Sequence, residues 1–248
     1  MSNLLAIDTA LSACSVALLT DGQVSVQRES APRQHIKRLL PMIDALLAEN
    51  TLQLKDVDAL AFNCGPGSFT GLRIGMGVIQ GLAMGADLPV LPISTLQALA
   101  QRAIDGKDVC EQEIIMPVID ARMDEVYWGA YQNCDGLARP LMDDRLSAPE
   151  EISNIYLSIF KEGTGRFQHE ALTDKTLIAV GLGDGWRFRE RILLEPGIVD
   201  TQASSDAEQT LHLALTAFER GEARTIDEVE PMYLRNKTTW KKRQRLRT

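Results

Sequence analysis

The residue types best suited to chemistry gather in one stretch of this 248-residue chain, N-C-G-P-G-S-F-T-G-L-R-I-G-M-G-V-I-Q-G-L-A-M-G at 63–85. Gly65-Pro66-Gly67 makes a turn. Ser68 or Thr70 is placed to cap the helix that follows, because a hydroxyl accepts from the free N–H groups of a first turn. A glycine-rich turn ahead of a helix is able to cradle phosphate on those N–H groups. The stretch contains neither G-x-x-x-x-G-K-[ST] nor G-x-G-x-x-G, so neither standard nucleotide motif is present. Other reactive types are scattered. His35 and His212 have Leu39 and Thr216 at i+4, and His169 stands apart, so no metal-ligand pair is formed. Cysteines 14, 64, 110 and 134 make no C-x-x-C. There is no HExxH, and Ser68 lies in G-S-F-T-G rather than G-x-S-x-G, so no protease chemistry is expected.

The helix behind the turn is unusual. Glycines 71, 75, 77, 81 and 85 fall within an arc of about 160°. Each costs roughly 1 kcal/mol relative to alanine, so close packing against that backbone is implied. Leu72, Ile74, Met76, Val78, Ile79, Leu82 and Met84 occupy most other directions, as in a helix buried on more than one side. With Arg73 inside and about 16 residues of length, it is too short for a membrane span of about 20. Residues 33–49 read as a second helix with surplus apolar surface. Ile36, Leu40, Ile43 and Leu47 form one stripe and Leu39, Met42 and Leu46 its neighbour, with Pro41 predicting a kink or a late start.

These elements belong to an ordinary globular composition, 45% hydrophobic and 24% charged. The net charge of −8 argues against general coating of nucleic acid. Seven of the 26 basic side chains lie in the last fourteen residues, leaving 19 against 34 acidic ones elsewhere. The N-terminus lacks a basic segment followed by a long apolar one, so a reducing cytoplasm and no membrane are expected. Strand signals appear at 4–7, 14–19 and 24–28, the last two joined by an Asp21-Gly22 turn. The pattern then restarts. L-A-I-D at 5–8 matches P-V-I-D at 117–120, and Asp21-Gly22 matches Asp135-Gly136, an internal near-repeat of strand, Asp, strand and turn. Ser205-Asp206-Ala207-Glu208 reads as a capping box opening a helix that ends at Gly221.

A duplicated meander with an acid ending its first strand resembles the actin/sugar kinase/Hsp70-like (ASKHA) architecture, an α/β fold of two lobes, each a mixed sheet with flanking helices. The resemblance predicts an N-terminal lobe at 1–107, completed by the helix at about 205–221, a second lobe at 108–204, and a C-terminal segment at 222–248. It implies ATP in the cleft, with Asp8 and Asp120 at the metal–phosphate and Gly181 and Gly183 where the superfamily reads adenosine. The loops depart from that pattern. Asp8 is followed by Thr9-Ala10-Leu11-Ser12, and Asp120 by Ala121-Arg122-Met123-Asp124 with no glycine. A vestigial nucleotide site is therefore expected, with no cofactor. An active ASKHA ATPase or small-molecule kinase using Asp8 and Asp120 is the alternative.

I-D-T-A-L-S-A-C-S-V-A-L at 7–18, H-I-K-R-L-L-P-M-I-D at 35–44, G-P-G-S-F-T-G-L-R-I-G at 65–75, V-I-D-A-R-M-D-E-V-Y at 118–127 and P-M-Y-L-R at 231–235 resemble the bacterial TsaB (YeaZ) family over the full length. That resemblance implies a non-catalytic relative of TsaD, the subunit that transfers threonylcarbamoyl to an adenosine beside the tRNA anticodon, with the ATPase TsaE as further partner. Where TsaD carries His-x-x-x-His, this chain has Thr95 and Leu99, which cannot hold that metal. The two apolar helices are expected to form the face for TsaD, and for a homodimer in isolation. Candidate contacts are Leu39, Leu40, Ile43 and Leu47 on the first helix and Ile74, Met76, Val78 and Ile79 on the second, with the outward stripe undetermined. tRNA is reached only through the complex, with Arg235–Arg247 as the segment that would guide it.

Overall fold

The computed structural model describes residues 2–29, 35–161 and 178–235. β1 (Leu4–Asp8), β2 (Cys14–Thr20) and β3 (Gln23–Glu29) form an antiparallel meander. The turn between β2 and β3 holds Asp21 at φ 50° and Gly22 at φ 75°, the type I′ geometry that Asp-Gly favours. α1 (His35–Glu49) follows, running through Pro41; the expected start at Arg33 lies outside the described residues. β4 (Ala59–Gly65) pairs parallel with β1. α2 (Phe69–Ala86) starts where Ser68 accepts from the Gly71 N–H, and Ser68 is thus the cap of the two expected hydroxyls. β5 (Val90–Ser94) completes a sheet of order β3-β2-β1-β4-β5. α3 (Thr95–Asp105) is capped by Ser94, whose hydroxyl accepts from Leu96 and Gln97.

The second sheet repeats that order. β6 (Ile114–Arg122) and β7 (Glu125–Trp128) are its first two strands, and β10 (Arg145–Ser147) its third. Between them the chain inserts a hairpin, β8 (Tyr131–Cys134) and β9 (Leu137–Pro140). α4 (Ile152–Lys161) leads away, and β11 (Ile178–Leu182), α5 (Arg189–Ile192) and β12 (Ile198–Asp200) close the set, giving β10-β7-β6-β11-β12. The two sheets share one strand order, and Asp8 and Asp120 stand in or at the ends of the equivalent strands β1 and β6. This is the duplicated actin/sugar kinase/Hsp70-like fold. One detail differs from the expected repeat: Asp135-Gly136 turns the inserted hairpin, not the equivalent of the β2–β3 turn. Its φ values, 55° and 76°, nevertheless have the same I′ form, since turn chemistry is local and does not report which strands flank it.

Alternation sets the layers. Leu5, Ile7, Leu18, Leu60 and Phe62 face α1 and α2 in one core. On the other face the small Ala6, Ala17, Ala59 and Ala61 let α6 (Ala207–Glu219) approach closely. α3 lies between the lobes and packs on both. The far face of the second sheet is filled by buried Trp128, Tyr156 and Trp186. α6 is capped by Asp206, with Gln209 as its reciprocal partner, one residue later than the Ser205 box predicted. Ser205 is committed elsewhere.

Candidate functional site

The two aspartates stand on equivalent strands of the two sheets, Asp8 at the end of β1 and Asp120 near the end of β6. Asp8 is buried, and each oxygen already accepts a hydrogen bond: Oδ1 from the Ala10 N–H at 2.8 Å, Oδ2 from the Ser205 hydroxyl at 2.9 Å. Burial, against these donors, raises its pKa to about 7. Asp120 is equally engaged. Its Oδ1 accepts from the Arg122 N–H at 2.9 Å, and its Oδ2 from Arg122 Nη1 at 2.7 Å and Arg187 Nη2 at 2.8 Å. Its own N–H donates to Asp184 at 2.9 Å. A metal–phosphate at this carboxylate would have to displace two guanidiniums.

The turn after Asp120 holds Arg122, Met123 and Asp124 all at positive φ, 64°, 56° and 65°. Three successive non-glycine residues there cost of the order of 1 kcal/mol each. Arg235 donates to the carbonyls of Ala121 and Arg122 at 3.2 Å and pairs with Glu125 at 2.6 Å, fixing this turn from the C-terminal segment. The Gly181 loop is filled as well. A Cβ on Gly181 would lie 2.6 Å from the Trp186 indole, which is fully buried and donates to the Met116 carbonyl at 3.0 Å. Gly183, at φ 100°, lies against the Val118 carbonyl and Leu99. Thr95 and Leu99 are both buried, and no cluster of three metal-ligating side chains occurs among the described residues.

The α1–α2 pair presents a different kind of site. The glycines of α2 divide in two. Gly71 and Gly75 press on the β1–β2 loop, where added Cβ atoms would lie 2.0 Å from the Thr9 carbonyl and 2.5 Å from the Thr9 hydroxyl. Gly77, Gly81 and Gly85 have open space above them. Gly77 and Gly81 floor a groove of about 700 Å³, walled by Leu40, Ile74, Val78 and Leu82. At one end Arg73 lies 3.7 Å over the Phe69 ring, and Tyr233 packs beside it at 6.1 Å between ring centroids. Leu40 is 45% and Phe69 58% exposed.

Of the eight expected contacts, Leu40, Ile74 and Val78 line this groove. Leu39, Ile43, Leu47, Met76 and Ile79 instead lie in the core between the helices and the first sheet. Leu39, Met42, Ile43, Leu46 and Leu47 of the two α1 stripes pack on the sheet while Leu40 faces out, so surplus apolar arc there does not mean surplus outward surface. Sequence reasoning did not find Phe69, Leu82, Gly77 or Gly81 as groove residues; the scarcity of strongly polar residues around α2, Arg73 and Gln80 alone, was the available signal. It also missed the Ser205, Arg122 and Arg187 partners of the two aspartates, although Arg122 at i+2 from Asp120 was visible.

The model of the family TsaD, tRNA N6-adenosine threonylcarbamoyltransferase, matches residues 23–188. The chain is 38% identical to the tRNA threonylcarbamoyladenosine biosynthesis protein TsaB of Escherichia coli, over 96% of this chain and 97% of that one. It is 39% identical to TsaB of Haemophilus influenzae, over 96% of each. Among solved structures, YeaZ from Pseudomonas aeruginosa superposes with a TM-score of 0.80 at 40% identity, over 94% of this chain and all of that one. A Pseudomonas aeruginosa protein described as similar to peptidase YEAZ gives 0.82 at 41% identity, over 95% of this chain and all of that one. No helix among the described residues is long and apolar enough to cross a membrane. With a TsaD-type domain at its centre and full-length likeness to two biosynthesis proteins, the chain belongs to the TsaB (YeaZ) family of tRNA threonylcarbamoyladenosine biosynthesis.

Proposed function

We propose that this chain is a non-catalytic scaffold of the cytoplasmic complex that forms N6-threonylcarbamoyladenosine beside the tRNA anticodon, and that TsaD docks on its α1–α2 groove. The groove itself carries the reading. A contiguous apolar channel with Leu40, Phe69, Ile74, Val78 and Leu82 on its walls marks a protein-binding surface. Gly77 and Gly81 on its floor let a partner helix approach nearer than the usual 8–10 Å between axes. The same surface serves self-association when the partner is absent, and TsaE joins the assembled complex. Leu39, Ile43, Leu47, Met76 and Ile79 act one step behind, by holding the groove walls against the sheet.

The non-catalytic half of the proposal is supported by the cleft. Asp8 and Asp120 are saturated by donors from the chain itself, and Trp186 lies where Gly181 would have to receive a base. The residues present do not fit Mg–ATP, so no step is assigned to it. tRNA is contacted through the complex, with the Arg235–Arg247 tail, which beyond Arg235 lies outside the described residues, as its guide. Reconstitution of tRNA modification with and without this chain tests the role. Formation of modified adenosine should require the chain and survive Asp8→Asn; modification that proceeds equally without it would overturn the proposal.

A further inference from the structure

On the opposite face of the first sheet from the groove, a cavity of about 180 Å³ opens where the two lobes meet. α6 and β5 of the first lobe form two sides and β9 of the second lobe the third. Buried Leu91, Ile93, Ala138 and Leu213 make an apolar floor. The rim carries Arg139, Arg220 and Arg224 against one acid, Glu222. Arg139 reaches Asp135 only at 3.4 Å, and neither Arg220 nor Arg224 has an ion pair among the described residues. Three guanidiniums against one rim carboxylate leave this small cavity net positive in a chain of net charge −8.

We infer that this inter-lobe cavity binds a phosphate-bearing ligand with a single flat ring system, of mononucleotide size. Guanidinium forks match phosphate oxygens two at a time, and the apolar floor suits a ring face. The volume is below the roughly 300 Å³ at which drug-sized ligands begin, which restricts the body to about one ring system. The backbone that carries the rim is fixed. Arg224 exchanges two backbone hydrogen bonds with Val90, at 2.8 and 2.9 Å, and Arg220 is tied to the end of α6 by its N–H to Thr216 at 3.2 Å. The C-terminal dipole of α6 opposes an anion with about half a charge, less than the net positive charge that Arg220 and Arg224 keep over Glu222. Its last carbonyls are already occupied by the N–H groups of Arg220, Gly221 and Glu222.

Calorimetric titration of the full chain with AMP, inorganic phosphate and adenosine tests this, alongside an anticodon stem-loop RNA that offers the same group on a polymer. AMP or the stem-loop should saturate one site, more tightly than phosphate or adenosine. The double variant Arg220→Ala/Arg224→Ala, whose side chains are exposed, should keep its melting temperature and weaken that binding at least tenfold. AMP as the better ligand assigns the site to a free nucleotide, the stem-loop to RNA. The inference fails if neither saturates, if phosphate alone binds as well as AMP, or if the double variant binds unchanged. Leu40→Glu should leave AMP binding intact, and the arginine variant should leave TsaD binding intact, so the two sites fail separately.

Discussion

The Thr9 hydroxyl donates a 2.8 Å hydrogen bond to the Gly71 carbonyl and clamps the β1–β2 loop onto the first turn of α2. That contact requires glycine. A methyl group at Gly71 would overlap the Thr9 carbonyl, whereas one at Gly81 would meet nothing. Gly71→Ala should therefore destabilise the chain by roughly 3 kcal/mol through overpacking. Gly81→Ala should stabilise it by about 0.5–1 kcal/mol through helix propensity. Denaturant midpoints of the two variants should move in opposite directions.

Asp8 gives the pH dependence. Its folded pKa, about 7, lies above the value near 4 of an unfolded aspartate. The native state therefore holds a proton that the unfolded chain has lost, and stability falls as pH rises from about 4 to 7. The loss is roughly 2–4 kcal/mol. Asp8→Asn should remove it, because an amide oxygen still accepts from Ala10 and the Ser205 hydroxyl is free to reorient as acceptor. Melting temperatures of the variant and the parent should coincide near pH 4.5 and separate in favour of the variant by pH 8. A variant that is less stable at pH 8 would contradict this role.

Asp120 should show coupling. Its side chain is 1% exposed, while Arg122 and Arg187 are 76% and 51% exposed. Either arginine alone neutralises the carboxylate, and exposure screens each pair, so Arg122→Ala or Arg187→Ala should cost about 1 kcal/mol. Removing both leaves a buried charge without a partner, and the double variant should cost clearly more than the sum of the singles. A double-mutant cycle from denaturation curves reads this directly. Additive losses would mean that Asp120 is held by something else.

Much of this is legible in the sequence. Ser68 caps a helix because a hydroxyl ahead of a helical run has one obvious partner, and both Asp-Gly pairs make I′ turns. What was not legible depends on the third dimension. Ser205 and Asp206 are equally good caps by type, and only the proximity of Asp8 decides that Ser205 serves the cleft. Asp135-Gly136 specifies a turn but not that the hairpin is an insertion. α2 is apolar in nearly every direction, so only packing on the sheet separates buried Met76 and Ile79 from the groove residues Ile74 and Val78. Arg235 reaches a turn 113 residues away, a pairing no local pattern announces.

The groove makes the sharpest demand. Leu40→Glu and Gly81→Leu both alter only open surface, so melting temperatures should change little, and Gly81→Leu should even gain a few tenths of a kcal/mol from helix propensity. Each should still block a helix from seating, the first by desolvating a charge and the second by filling the floor. The decisive measurement is the dissociation constant of purified TsaD for the wild-type chain and these two variants. A loss of at least 100-fold in both, with folding intact, is the predicted result. Equal affinity for all three would contradict the assignment of the α1–α2 groove as the partner surface.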